Sequence, residues 1–343
     1  MLALAKTKTG KGLTLMEFGE PTPNRDEILI KVAAAGICGS DVHIYQWASG
    51  YEWMEDVMPL IPGHEVAGVV AAKGSAVVGF DVGDRVVSMP GAGCGKCNLC
   101  REGLIAVCAA KKQIGLHRNG AFAEYVTVSA SACIKLPDDI DLKVAVLAEP
   151  LAVSLRVVER AGSLAGKKVA VMGAGMIGLG VAHFASGAKA RTWIFGKEQD
   201  EAKFKISKCL GVEGSVNVDR DSLTGAWEKI TNKEGFDVVF DCTGVSALIQ
   251  ECLNLTKIAG KLVAIGIYPA PVQINLRDMV RQEKNLITSY GYTRSIFEDV
   301  LGKLREFPSR YENLITHTFQ LEDGLEAMEL AAKGIAGKVV LHP

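Results

Sequence analysis

The hydrophobic rhythm of the chain changes near residue 150. Before that point, short alternating or β-rich runs recur between Gly and Pro punctuation: EILIKVAAAG, VAGVVAAKG, DRVVSM and AFAEYVTV. Such runs, bounded by turn residues, predict short β-strands. From about 151 the rhythm lengthens. LAVSLRVVERAG, MIGLGVAHFASGA, DEAKFKISKCLG and SALIQECLNLTKIAG read as helices, and KKVAVMGAG, RTWIFG, FDVVFDCTG and KLVAIGIY read as strands between them. Strands alternating with helices predict a parallel, doubly wound sheet, here ending near residue 290. The tail adds FEDVLGKLREF and LEDGLEAMELAAK as helices and KVVLHP as a strand, expected to pack back on the first part. The fold class is therefore α/β. A β-rich domain over 1–150, completed by 291–343, joins a doubly wound dinucleotide-binding domain over 151–290.

One turn in the second domain points to a ligand. Gly173-Ala174-Gly175-Met176-Ile177-Gly178 follows an apolar strand and opens a helix. The first glycine makes the turn, the second admits a pyrophosphate, and the third lets helix and strand pack closely. The helix N-terminus offers free N–H groups to the phosphates. An acid some 20 residues onward ordinarily holds the ribose. Counting back from Lys203, Phe204 and Gly211 gives that role to Glu198, which favours NAD. If Gly196 holds the acid's place instead, Lys197 favours NADP.

Two further groups suggest metal. Cys94, Cys97, Cys100 and Cys108 fall within fifteen residues. Four thiolates on one loop can surround one Zn²⁺ at about 2.3 Å. A disulfide, a redox CxxC and an iron–sulfur cluster compete with this reading. A redox pair needs only two of the four sulfurs, and a ferredoxin run usually ends in Cys-Pro, whereas Ala109 follows Cys108. A closed four-sulfur site has no open position, so its expected role is structural. The second group is Cys38 in GICGSDVH, His64 and Glu65 in PGHE, and Glu149 before Pro150. These types suit a catalytic zinc with three protein ligands and one open position. Singly, each has a plainer reading: a small buried thiol, a structural imidazole, a helix cap.

Composition narrows the class. Among 343 residues, 38 are basic and 39 acidic, for a net charge of −1, which argues against a nucleic-acid surface. No apolar run reaches the ~18 residues of a membrane span. MLALAKTKTG lacks signal-peptide features. The other five cysteines (Cys38, Cys133, Cys209, Cys242 and Cys252) are scattered singly, as in a reducing cytoplasm.

Taken together, GICGSDVH, PGHE, CGKCNLCREGLIAVC, GAFAEY, AEP and VMGAGMIGLG resemble the zinc-dependent medium-chain dehydrogenase/reductase superfamily over essentially the whole chain. Within it the chain looks most like sorbitol-type polyol dehydrogenases, with threonine and butanediol dehydrogenases close behind. The resemblance implies a GroES-like catalytic domain, a Rossmann domain, an active site in the cleft between them, and a homodimer or homotetramer. It implies two zinc ions per subunit, one catalytic and one structural, and NAD or NADP. By position, Cys38 and His64 would ligate the catalytic zinc with Glu65 or Glu149, and Asp41 would fix the His64 tautomer. Ser40 would accept the substrate proton and His43 would relay it. The expected reaction is hydride transfer between NAD(P) and a secondary alcohol of the polyol, sugar or sugar-derived class. L-threonine 3-dehydrogenase and 2,3-butanediol dehydrogenase are the alternatives. A crystallin-like binding protein is disfavoured, because Cys38, His64, Glu65 and Glu149 are all present.

The segment between the two catalytic motifs holds Tyr45, Trp47, Tyr51 and Trp53. Aromatic faces suit the C–H face of a polyol; equally, these rings could pack the loop onto the core. SMPGAG lacks the histidine common there in threonine dehydrogenases. Arg118 and Arg281 could recognise an acidic substrate, though both read better as structural or surface residues.

Overall fold

The alternating runs of the first part become antiparallel strands. A computed structural model describes all 343 residues. They form two units, Met1–Pro150 with Tyr292–Pro343, and Leu151–Gly291. In the first, β1 (Leu2–Ala5) pairs with β2 (Thr14–Glu17). The ten-residue β3 (Glu27–Gly36) is the spine of a larger sheet, and only Lys31 along it is exposed. It pairs antiparallel with β4 (Glu65–Lys73), which carries β5 (Arg85–Ser88). It also pairs with β6 (Tyr125–Ser129), while β7 (Cys133–Lys135) extends the β5 edge.

In the second unit six strands run parallel: β8 (Lys168–Met172), β9 (Arg191–Gly196), β10 (Gly214–Asn217), β11 (Phe236–Asp241), β12 (Thr256–Ala264) and β13 (Asn285–Thr288). Their order, β10-β9-β8-β11-β12-β13, reverses direction between β8 and β11. That switch point is where such sheets hold a dinucleotide. The tail then returns β14 (Ile315–Gln320) and β15 (Lys338–His342) to the first unit, where β15 pairs antiparallel with β3.

The structure departs from the sequence pattern at one long run. SALIQECLNLTKIAG is helical only over Leu248–Leu255; Thr256 begins β12. Thr256 caps the preceding turn through its hydroxyl on the Cys252 carbonyl at 2.8 Å. The β-branched residues after it gain more from pairing with β11 and β13 than from another helical turn. The short strands β10, β13 and β14 carry too few apolar residues to be legible alone.

The first unit's core gathers Leu4, Ile28, Ile30, Val86, Phe122 and Leu341 from both ends of the sequence. At its rim the end of β3 is unusually bare. A Cβ on Gly36 would lie 2.0 Å from Glu65 Oε2. Gly36 therefore leaves the space that the Glu65 carboxylate fills. Gly39, three residues on, faces open space. Gly36→Ala is expected to lower unfolding free energy by about 1–3 kcal/mol or more, while Gly39→Ala should be nearly neutral. Urea denaturation of the two variants side by side checks this.

Candidate metal centre and dinucleotide turn

Cys38 leaves β3 in extended conformation and caps α1 (Gly39–Gln46). The third helical residue, Asp41, is wholly buried. Its Oδ2 accepts the Cys38 N–H at 2.9 Å and its Oδ1 accepts the Gly63 N–H at 3.1 Å. One carboxylate thus ties together the two segments that carry Cys38 and His64. The ligand atoms of Cys38, His64 and Glu65 all lie within 4.8 Å of one another.

The charges in this cluster are unbalanced. His64 Nδ1 is buried without a hydrogen bond, 3.7 Å from Asp41 Oδ1. Burial alone would lower the imidazole pKa, yet Asp41, Cys38 and Glu149 outweigh it and raise it to about 10. Burial, reinforced by Glu65, also pushes the Glu149 carboxyl above its ordinary range. A thiol, an imidazole and carboxylates sharing a dry site with an unsatisfied ring nitrogen suit a borderline divalent cation such as zinc.

The two carboxylates differ. Glu65, at the start of β4, receives Lys338 Nζ on both oxygens, at 2.6 and 2.7 Å. The same ammonium donates to the Ile37 carbonyl at 2.9 Å. Burial would lower the Lys338 pKa, but Glu65 and then Cys38 prevail and keep it charged. Glu149 lies in the first turn of a helix, Ala148–Ala161, and its Oε1 accepts the Tyr292 hydroxyl at 3.1 Å. Sequence reasoning passed over Lys338 and Tyr292. The one available signal for Lys338 is a lysine heading an apolar strand, and nothing local marks Tyr292.

Ser40 and His43 share α1 with Asp41. His43 stacks on Tyr51 at 6.1 Å between ring centroids, and burial holds its imidazole below the ordinary 6.5. The aromatic segment divides. Tyr45 is buried and donates to Glu329, and Trp47 and Tyr51 pack on Ile44, Met54 and Leu60. Trp53 is 42% exposed and stacks on His117 at 5.2 Å. Arg118 is engaged by Glu27 and Thr127, which makes it structural.

Cys94, Cys97, Cys100 and Cys108 converge as a second cluster, and none forms a disulfide. The Cys94–Cys100 and Cys97–Cys108 sulfur separations are 4.0 and 3.9 Å. A tetrahedron of Zn–S bonds near 2.3 Å has edges of about 3.8 Å. Amide hydrogens of Lys96 and Cys97 draw the Cys94 thiol down to about 6, whereas desolvation pushes Cys100 up to about 11. Four thiolates together therefore need a cation.

In the second unit, Gly173 closes β8 with φ of 96°, and a Cβ on Gly178 would strike its carbonyl at 1.8 Å. Gly175 caps the twelve-residue helix Met176–Gly187 with no side-chain cap, and a Cβ there would meet nothing within 4 Å. Free N–H groups beside an open glycine face fit a pyrophosphate. The ribose acid is a different matter. β9 ends at Gly196, and Glu198 lies two residues beyond, in a short turn over Glu198–Asp200. Glu198 is held by Arg220, through Nε at 2.7 Å, and by Asn217 at 3.3 Å.

Known proteins share this architecture. Residues 24–138 match the alcohol dehydrogenase GroES-like domain, and residues 175–306 match the zinc-binding dehydrogenase family. The L-threonine 3-dehydrogenase of Alteromonas mediterranea is 31% identical over 99% of each chain. The chain belongs to the zinc-dependent medium-chain dehydrogenases. A Sinorhizobium meliloti protein solved with NADP bound matches it at a TM-score of 0.87 and 28% identity, covering 100% of this chain and 99% of that one. L-idonate 5-dehydrogenase of Escherichia coli matches at 0.86 and 26%, covering 100% and 98%. As a medium-chain dehydrogenase, the protein is an NAD(P)-linked oxidoreductase acting on CH–OH groups. No helix in it is long and apolar enough to cross a membrane.

If the four-cysteine loop holds zinc, Cys97→Ser should remove about one zinc per subunit and lower the melting temperature by several degrees. Metal analysis alongside a thermal melt tests it; unchanged melting and zinc content would show that the loop binds no metal.

Proposed function

We propose that the protein oxidises, reversibly, a secondary alcohol of the polyol or sugar-derived class whose neighbouring carbon bears a second heteroatom. The observation that carries the reading is the buried cluster of Cys38, His64 and Glu65 with an unsatisfied imidazole nitrogen. Cys38 and His64 would hold zinc together with one carboxylate. Glu65 is the carboxylate with an oxygen within 4.8 Å of the Cys38 and His64 ligand atoms, whereas Glu149 is the less committed of the two, since both Glu65 oxygens are bound by Lys338 and Tyr292 bonds only one oxygen of Glu149. Bound zinc would supply Lewis acidity to a substrate hydroxyl, and a bound nicotinamide would accept the hydride. The chain's own part is to move the proton. Ser40 takes it from the substrate hydroxyl, and His43, held neutral by burial, passes it on.

The substrate class rests on two supports. The related proteins are named for L-threonine and L-idonate, whose secondary hydroxyls lie beside a heteroatom-bearing carbon. Trp53 stays partly exposed on the segment between the metal motifs, where its face suits a polyol. L-threonine is the second reading, favoured by the full-length likeness to threonine dehydrogenases. A cytoplasmic setting agrees with nine cysteines free of disulfides. A homodimer or homotetramer agrees with the edge strand β13, where Leu286 is exposed.

Cys38→Ser or His64→Ala should abolish turnover while the circular dichroism spectrum stays native. Retained activity in either variant would refute the catalytic assignment. A panel of polyols, sugar acids, 2,3-butanediol and L-threonine, with and without a zinc chelator, separates the substrates: chelator-sensitive turnover of L-threonine alone would replace the polyol reading. The pH profile has a defined sign. His43 must be neutral to accept a proton and its pKa lies below 6.5, so the oxidation rate should rise with pH through a midpoint under that value. In His43→Gln this limb should disappear.

A further inference from the structure

The end of β9 decides which ribose the dinucleotide turn can accept. An acid at this strand end accepts the ribose hydroxyls and repels a 2′-phosphate. β9 pairs Phe195 with Met172 of β8, and its last residue is Gly196. That position has no room for an acid. A Cβ there would lie 2.7 Å from Asp200 Oδ2 and 3.1 Å from two ring carbons of Phe204. Asp200 is itself committed: it is buried, accepts the Lys197 N–H at 2.8 Å and pairs with buried Lys203.

The residue that follows carries charge of the other sign, and the next acid, Glu198, is paired with an arginine. Lys197 is exposed, and its bond to Asp200 uses the backbone, which leaves the ammonium to solvent. Glu198 is matched by Arg220, which holds its carboxyl below the ordinary range. The Glu198 N–H donates to Asp219 at 2.8 Å. Arg220 uses Nε and Nη2 on Glu198, so part of its five-donor fork remains open.

We propose that Lys197, with Arg220 as a second cation, reads the 2′-phosphate, and that the protein binds NADP(H) in preference to NAD(H). The proposal rests on the dinucleotide reading of the Gly173–Gly178 turn. A 2′-phosphate carries between one and two negative charges at neutral pH. A compact ammonium and a guanidinium fork are suited to it.

Adenine fragments without nicotinamide test this apart from catalysis. Calorimetry on the purified protein should show 2′,5′-ADP binding at least about tenfold tighter than 5′-AMP, a gap of about 1.4 kcal/mol. Lys197→Ala should bring the two towards parity by weakening 2′,5′-ADP while leaving 5′-AMP unchanged. Arg220→Gln, a second and independent variant, should also weaken 2′,5′-ADP. Equal or tighter binding of 5′-AMP by the unaltered protein would overturn the proposal and leave the dinucleotide turn standing. A 2′,5′-ADP affinity untouched by Lys197→Ala would also overturn it. If neither fragment binds and neither NADH nor NADPH fluorescence responds, the dinucleotide reading falls as well.

Discussion

The buried cluster of Cys38, His64 and Glu65 is anchored by one ion pair that crosses a strand. Glu65 sits on β4 and Lys338 on β15, and these two strands flank β3. Two strand spacings, about 9.6 Å, separate them. The side chains can meet because Gly36, opposite both Glu65 and Val340 in register, offers no side chain to block them. Lys338 also donates to the Ile37 carbonyl, next to Cys38, so a single ammonium joins the segments that carry Cys38 and Glu65 to the final strand. Such a pair adds little stability relative to apolar packing, but removing one partner costs about 3–5 kcal/mol. Its value is positional.

Around that pair the site is short of positive charge. Cys38, Asp41, Glu65 and Glu149 surround His64, with Lys338 as a nearby cation. Asp41 spends its oxygens on the backbone of Cys38 and Gly63, so it organises the site without being available to a ligand. The four-cysteine loop solves the opposite problem. Its sulfurs already stand at tetrahedral spacing and leave no open position, which suits structure rather than chemistry. The same chain thus holds a closed donor set and an incomplete one, and only the incomplete one would leave a coordination position open.

The dinucleotide unit shows a similar division between local and distant causes. The glycines of the turn act within six residues, and their spacing alone announces a phosphate. At the end of β9 the side chains are arranged by packing. Asp200 and Phe204 fill the space beside Gly196, and Arg220, from the turn after β10, takes up Glu198. Counting residues from the helix could not reveal this, because a short turn of uncertain length lies between strand and helix.

The sequence by itself determined what depends on neighbours along the chain: the alternating strands, the βα rhythm, the four-cysteine loop, the glycine turn, and Cys38 and His64 as a soft and a borderline donor. Each is a local pattern with a short-range physical cause. Tertiary structure alone decided the rest. It brought Lys338 to Glu65 across 273 residues and Tyr292 to Glu149 across 143. It placed Tyr45 in the first unit's core, packed Trp47 and Tyr51 onto Ile44, Met54 and Leu60, and left Trp53 partly exposed. It also ended β9 at Gly196. These outcomes turn on which side chains compete for the same buried space and charge, and that competition exists only once distant segments have been brought together.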